Sequence, residues 1–121
     1  MSPEEREALV QKYLGTTVKI AIDRPKGFVH RKGDKTLVYP INYGYIPGVL
    51  GGDGEELDVY LLGVDEPVGE YTCRIAGIVY RRNDVEDKLI GVAEGKNFTV
   101  EEMTAAVHFQ EKYYDSYVVT E

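Results

Sequence analysis

Residues 39–58 read YPINYGYIPGVLGGDGEELD. Three tyrosines, one asparagine and two prolines stand directly ahead of a glycine-rich acidic turn. Asp53, Glu55, Glu56 and Asp58 then fall within six positions. A turn needs no such density of carboxylates, and a core cannot hold them unpaired. Hard oxygen ligands beside phenol hydroxyls point to a divalent metal site that handles a polar, anionic substrate. An acidic surface turn is the alternative reading of the same residues.

Asp58 separates the two readings. It opens an apolar run, and strand alternation sets Asp58, Tyr60 and Leu62 on one face and Leu57, Val59 and Leu61 on the other. A carboxylate at a rigid strand mouth, sharing a face with apolar residues, suits a ligand better than a solvated turn. An EF-hand is the weaker reading. Its loop wants glycine at the sixth position and glutamate at the twelfth, where this chain has Asp58 and Val64.

Outward from this segment, the chain reads as α+β and mainly β. Ser2, Pro3 and Glu5 form a helix start with a capping box, and Gly15 ends that helix. Val18, Ile20 and Ile22 alternate in a half-buried strand over 17–23. Residues 28–31 and 35–38 form a short hairpin around Lys32-Gly33-Asp34. Pro40 to Gly52 reads as ordered loop from its prolines and glycines. Strands are expected at 58–62, 71–81 and 88–93. Thr99 and Glu102 start a last helix, and 117–119 forms a final extended piece. Five or six short strands and two helices predict a small closed barrel with packed helices, as one domain over 1–121.

Composition narrows the function classes. The 121 residues carry a formal net charge of −7, the wrong sign for a nucleic-acid backbone partner. One cysteine, Cys73, permits no intrachain disulfide and reads as a core residue. No apolar run approaches the length of a membrane span and no signal-peptide pattern is present, so a cytoplasmic protein without a membrane partner is expected. Nothing in the sequence excludes a homo-oligomer.

A second acidic group lies at 81–88, RRNDVEDK. Alone it reads as a hairpin tip. Brought to the first turn by barrel closure, the two would hold several Mg²⁺ ions, each of which binds few protein carboxylates and keeps waters and substrate oxygens. Lys26, Arg31, Lys88 and Lys112 are the candidate cations for a phosphate. Tyr43 and Tyr113 are candidate hydroxyl donors. His30 and His108 show no metal-ligand spacing.

The linked pair YPINYGYIP (39–47) and DGEELD (53–58) resembles the soluble family I inorganic pyrophosphatases, which carry a YPxNYGY-type segment followed by a DGDPxD-type motif at the same separation. The resemblance continues through the acidic turn and apolar strand at 84–90 and reaches HFQEKYY (108–114). It implies a five-stranded OB-like barrel with an N-terminal and a C-terminal helix. It also implies Mg²⁺-dependent hydrolysis of pyrophosphate, with Mn²⁺ as a substitute metal. Asp53, Asp58, Asp84 and Glu86 match metal ligands. Glu55 stands where the family has the aspartate that activates the attacking water. Lys88, Arg31, Tyr43 and Tyr113 match phosphate-binding and site residues, and Asp23 matches an acidic residue of the first strand. The chain departs from the pattern where glutamates replace aspartates at 55 and 86, where Tyr114 replaces a lysine, and where a K-x-E segment is missing between Asp23 and Arg31. Those departures keep open a metal- or phosphate-binding sensor without turnover, and a hydrolase of nucleotide phosphoanhydrides.

Overall fold

The structure, a computed structural model, describes residues 1–121. The elements follow in the order α1 (Pro3–Tyr13), β1 (Thr17–Arg24), β2 (Val29–Lys32), β3 (Lys35–Val38), β4 (Asn42–Leu50), β5 (Glu56–Leu62), β6 (Glu70–Arg81), β7 (Lys88–Val92), α2 (Val100–Glu111) and β8 (Ser116–Thr120). The strands β1-β4-β5-β7-β6 hydrogen-bond in that order, and β1 pairs again with β6. That last pairing closes a five-stranded barrel of the expected OB-like kind. Only β5 and β7 run parallel. The long β6 serves two neighbours on one edge: Glu70–Arg74 pairs with β1, and Gly77–Arg81 pairs with β8 outside the ring. The hairpin β2–β3 stands apart as its own two-stranded sheet.

Strand alternation divides the apolar residues into two clusters. Leu57, Val59 and Leu61 of β5 join Ile20, Ile46, Ile75, Ile78 and Leu89, and Val10 of α1 packs against the same group. Tyr60 and Leu62 point the other way, with Tyr43, Val79, Ile90 and Val92, and meet Met103 and Val107 of α2. The first cluster is the barrel interior and the second is the seam beneath α2. Burying each of the two α2 side chains is worth about 1.5–3 kcal/mol, enough to dock a helix that has few other buried residues. Both helices start with complete capping boxes, at Ser2–Glu5 and Thr99–Glu102.

The segment expected as loop, 40–52, is mostly strand. β4 pairs with β1 from Tyr43 to Tyr45 and with β5 from Asn42 to Tyr45, loses register, and pairs with β5 again at Leu50. Pro47 and Gly48, whose φ is +79°, lie in the irregular stretch. The turn chemistry was real, but it makes a bulge inside a strand. Gly44 is required by close packing. A Cβ there would lie 1.8 Å from the Ala21 carbonyl oxygen on β1.

Candidate active site

β5 and β7 are adjacent and parallel, so their N-terminal ends open at the same rim. Asp58 sits near the start of β5, and Lys88 is the first residue of β7. Tyr43 lies across from Tyr60 on β4, one alternation from Asp58, and so shares its face. The Lys88 ammonium, almost wholly buried, donates to the Tyr43 hydroxyl at 2.6 Å and to Asp58 Oδ2 at 2.8 Å. It also donates to Glu86 Oε1. The Tyr43 hydroxyl donates to the same Asp58 oxygen at 2.7 Å. Four residues that the sequence singled out therefore meet around one nitrogen.

Burial works to raise the Asp58 carboxyl, but Lys88 beside it and the Tyr43 hydrogen bond outweigh that and hold it below its ordinary value. Glu86 goes the other way. Burial raises it, and adjacent Asp58 adds to the rise, so the net shift is upward despite Lys88. Burial, and then Asp58, push the Tyr43 hydroxyl well above its ordinary value, so it remains a neutral donor at pH 7.

The other sequence candidates are not brought into this group. Asp53 and Glu55 stay exposed on the turn, where Asp53 Oδ1 accepts from the Glu55 backbone N–H at 3.0 Å. Asp84 turns to Arg81, 3.3 Å away. Arg31 is exposed on β2. Tyr113 is half exposed just past α2, with Lys35 Nζ 4.9 Å from its ring centre. Lys26 Nζ donates to the Asp65 carbonyl, and Lys112 is exposed. Asp23 is raised by burial and by nearby Asp58 and Glu56.

No three His, Cys, Asp or Glu side chains converge to hold a metal by themselves. The expected four-carboxylate set of Asp53, Asp58, Asp84 and Glu86 is therefore not assembled, because Arg81 takes Asp84 and the turn keeps Asp53. Asp58 and Glu86 do fit Mg²⁺, which needs only one or two carboxylates and completes its shell with water and phosphate oxygens. Lys88 is one cation set against these two carboxylates, and that imbalance supports the fit.

A second buried network adjoins the first and was not singled out in the sequence. The Arg81 guanidinium donates to both Glu111 oxygens, at 3.0 and 2.7 Å. Glu111 also accepts from the hydroxyls of Tyr60 and Ser116. Burial works against the Glu111 carboxylate, yet Arg81 and the hydroxyls hold its pKa below the ordinary value. One signal was available: Met103, Val107 and Glu111 follow at spacing four, which sets Glu111 on the buried stripe of α2.

A family model described as inorganic pyrophosphatase matches residues 10–118. The inorganic pyrophosphatase of Aquifex pyrophilus is 33% identical over 101 residues, covering 78% of this chain and 56% of the relative. That of Saccharolobus solfataricus is 34% identical over 103 residues, covering 78% and 59%. The chain thus spans a little over half the length of these curated relatives. Among solved structures, an inorganic pyrophosphatase from Ehrlichia chaffeensis superposes with a TM-score of 0.67 at 20% identity, covering 88% of this chain and 87% of the other. One from Coxiella burnetii gives 0.63 at 22%, covering 89% and 85%. At these identities the superpositions speak for the fold.

Proposed function

This chain belongs to the inorganic pyrophosphatase family, and from that premise we propose that it hydrolyses pyrophosphate to two phosphates with Mg²⁺, or Mn²⁺ in its place. The observation that carries the reading is the meeting of Asp58, Glu86, Tyr43 and Lys88 at one barrel rim. Asp58 and Glu86 would hold the metal. Bound there, Mg²⁺ would lower the pKa of a water and offset charge on the phosphate oxygens.

The chain's own groups supply the rest. Lys88 and the Tyr43 hydroxyl point donors at the rim, where a phosphate oxygen would take over hydrogen bonds now made within the protein. Arg31, exposed and free of any ion pair, is the cation proposed for the leaving phosphate, and the half-exposed Tyr113 is proposed as a further hydroxyl donor to it. Glu55 and Asp53, on the exposed turn, orient the attacking water and its protons. Water adds to one phosphorus, the bridging P–O bond breaks, and the two protons of water are shared out among the phosphate products and solvent. No helix is long and apolar enough to cross a membrane. We place the protein in the cytoplasm, where the buried free thiol Cys73 stays reduced.

The test is phosphate release from pyrophosphate and from a nucleotide panel, with and without Mg²⁺ or Mn²⁺. Metal-dependent release from pyrophosphate that disappears in Asp58→Asn is the expected result. A pure preparation that releases nothing from pyrophosphate overturns the reading, and faster turnover of nucleotides moves the substrate to that class. The ion pairs that Lys88 makes with both Asp58 and Glu86 favour one rival, a phosphate-ligand sensor. Calorimetry would show it as tight pyrophosphate binding without turnover.

A further inference from the structure

Arg81 ends β6 with its side chain only 1% exposed. Two of its nitrogens hold Glu111, and Nη1 lies 3.3 Å from Asp84 Oδ2 and 3.8 Å from Glu86 Oε2. The Tyr114 ring lies over the guanidinium, 3.6 Å from its carbon to the ring centre. One rigid cation thus ties the end of α2 to the acidic turn between β6 and β7. A divalent ion bridging the same carboxylates would do the same job. A guanidinium differs in that it is always charged and cannot be washed out.

Glu111 has no capacity left for a metal. Its two oxygens accept from Arg81 twice, from Tyr60 and from Ser116. Across the joined networks, the carboxylates Asp58, Asp84, Glu86, Asp87 and Glu111 face the cations Arg6, Arg81 and Lys88. Five negative charges against three positive ones leave two, the charge of one divalent ion. Asp53 and Glu55 lie outside this count, exposed to water that screens their pull on a metal.

We propose that Arg81 is a built-in cation standing where a second divalent ion would otherwise bridge the acidic turn, so that each chain takes a single metal ion, at Asp58 and Glu86. The inference rests on the metal-dependent reading above. It makes Arg81 a positioning residue: it holds Glu86 for the ion and does not touch substrate.

The experiment counts ions without turnover. The full chain, free of substrate, is titrated with Mn²⁺ while electron paramagnetic resonance follows the free ion. One Mn²⁺ per wild-type chain is expected, none in Asp58→Asn, and two in Arg81→Gln, which frees Asp84 and Glu111. Arg81→Lys keeps the charge and is expected to stay at one. Two or more wild-type sites of similar affinity overturn the inference and leave the metal-dependent reading standing. No bound Mn²⁺ overturns both. A folded Arg81→Gln that still binds only one ion removes Arg81 from the role. If that variant does not fold, the wild-type and Asp58→Asn counts decide alone.

Discussion

Asp58 Oδ2 accepts from Lys88 Nζ at 2.8 Å and from the Tyr43 hydroxyl at 2.7 Å, so a single oxygen anchors donors from two other strands. The arrangement holds three strands in register at the rim. It also means that an incoming metal or phosphate must reorganise hydrogen bonds already made. The site is therefore poised between a closed ion pair and an open ligand position.

Replacing Asp58 by Asn removes the charge that Lys88 and a metal would share. Metal-dependent phosphate release is expected to fall by at least ~10²-fold, beyond the 10–100-fold usual when only a ligand's supporting partner is lost. A steady-state phosphate assay at saturating Mg²⁺ checks this. Circular dichroism of the variant separates loss of chemistry from loss of fold.

Glu55→Asp tests the longer acid at the water-orienting position. Glu55 is exposed and its carboxylate has no partner within the protein, so shortening it by one carbon strains nothing. A misplacement of about 1 Å can cost ~10²-fold in rate. The aspartate variant is expected to raise kcat by roughly 10-fold or more with KM little changed. An unchanged or lower kcat would remove Glu55 from the proposed role.

Glu111→Gln leaves the buried Arg81 guanidinium without its main counter-charge. Breaking a buried pair in this way costs about 3–5 kcal/mol. Lys19→Ala breaks the Lys19–Glu70 bridge, in which both side chains are about two-thirds exposed, and is expected to cost less than ~1 kcal/mol. Urea midpoints of the two variants give the contrast directly.

The pH dependence follows from the same pair. The Glu111 pKa is lower in the fold than its ordinary 4.5. Its contribution to stability is thus complete above that ordinary value and is lost as pH falls through the lowered one. The urea-midpoint gap between wild type and Glu111→Gln is expected to narrow as pH falls below about 4.5. Glu86, raised in the fold, acts with the opposite sign. The fold binds its proton more tightly than the unfolded chain does, so its share favours folding as pH falls through the raised value toward 4.5. Glu86→Gln is expected to remove that share, read in metal-free buffer as the loss of a gain in midpoint as pH falls toward 4.5.

Gly44→Ala places a methyl group 1.8 Å from the Ala21 carbonyl oxygen, a backbone atom that cannot swing aside. The β1–β4 pairing must open or shift to admit it. A loss of at least ~3 kcal/mol is expected, visible as a lowered melting temperature or failure to fold. Tolerance of the substitution would show that β1 and β4 are less closely apposed than described.

Much of the fold was legible because its signals are local. Capping boxes at Ser2 and Thr99, alternation in Leu57–Leu62 and the hairpin turn at Gly33 depend on neighbours in sequence, and each element formed near its expected place. Residues 42–50 form a strand within the expected loop because Pro47 and Gly48 suit a loop and a bulged strand alike. What separates the two is the partner on each side, β1 and β5.

The sequence by itself determined the residue types and spacing of the site: a tyrosine, Asp58, Glu86 and Lys88 on strand ends that any closed barrel of this order would gather. Only the tertiary structure decided how their charges are balanced. Arg81 and Glu111 lie thirty positions apart and look ordinary in the chain. Their pairing follows from docking α2 over β5 and β6, which buries both side chains against each other. That docking turns a run of carboxylates into two networks, one neutralised from within and one still short of positive charge. Coulomb energy depends on distance and on the surrounding medium, and neither is written in the order of residues.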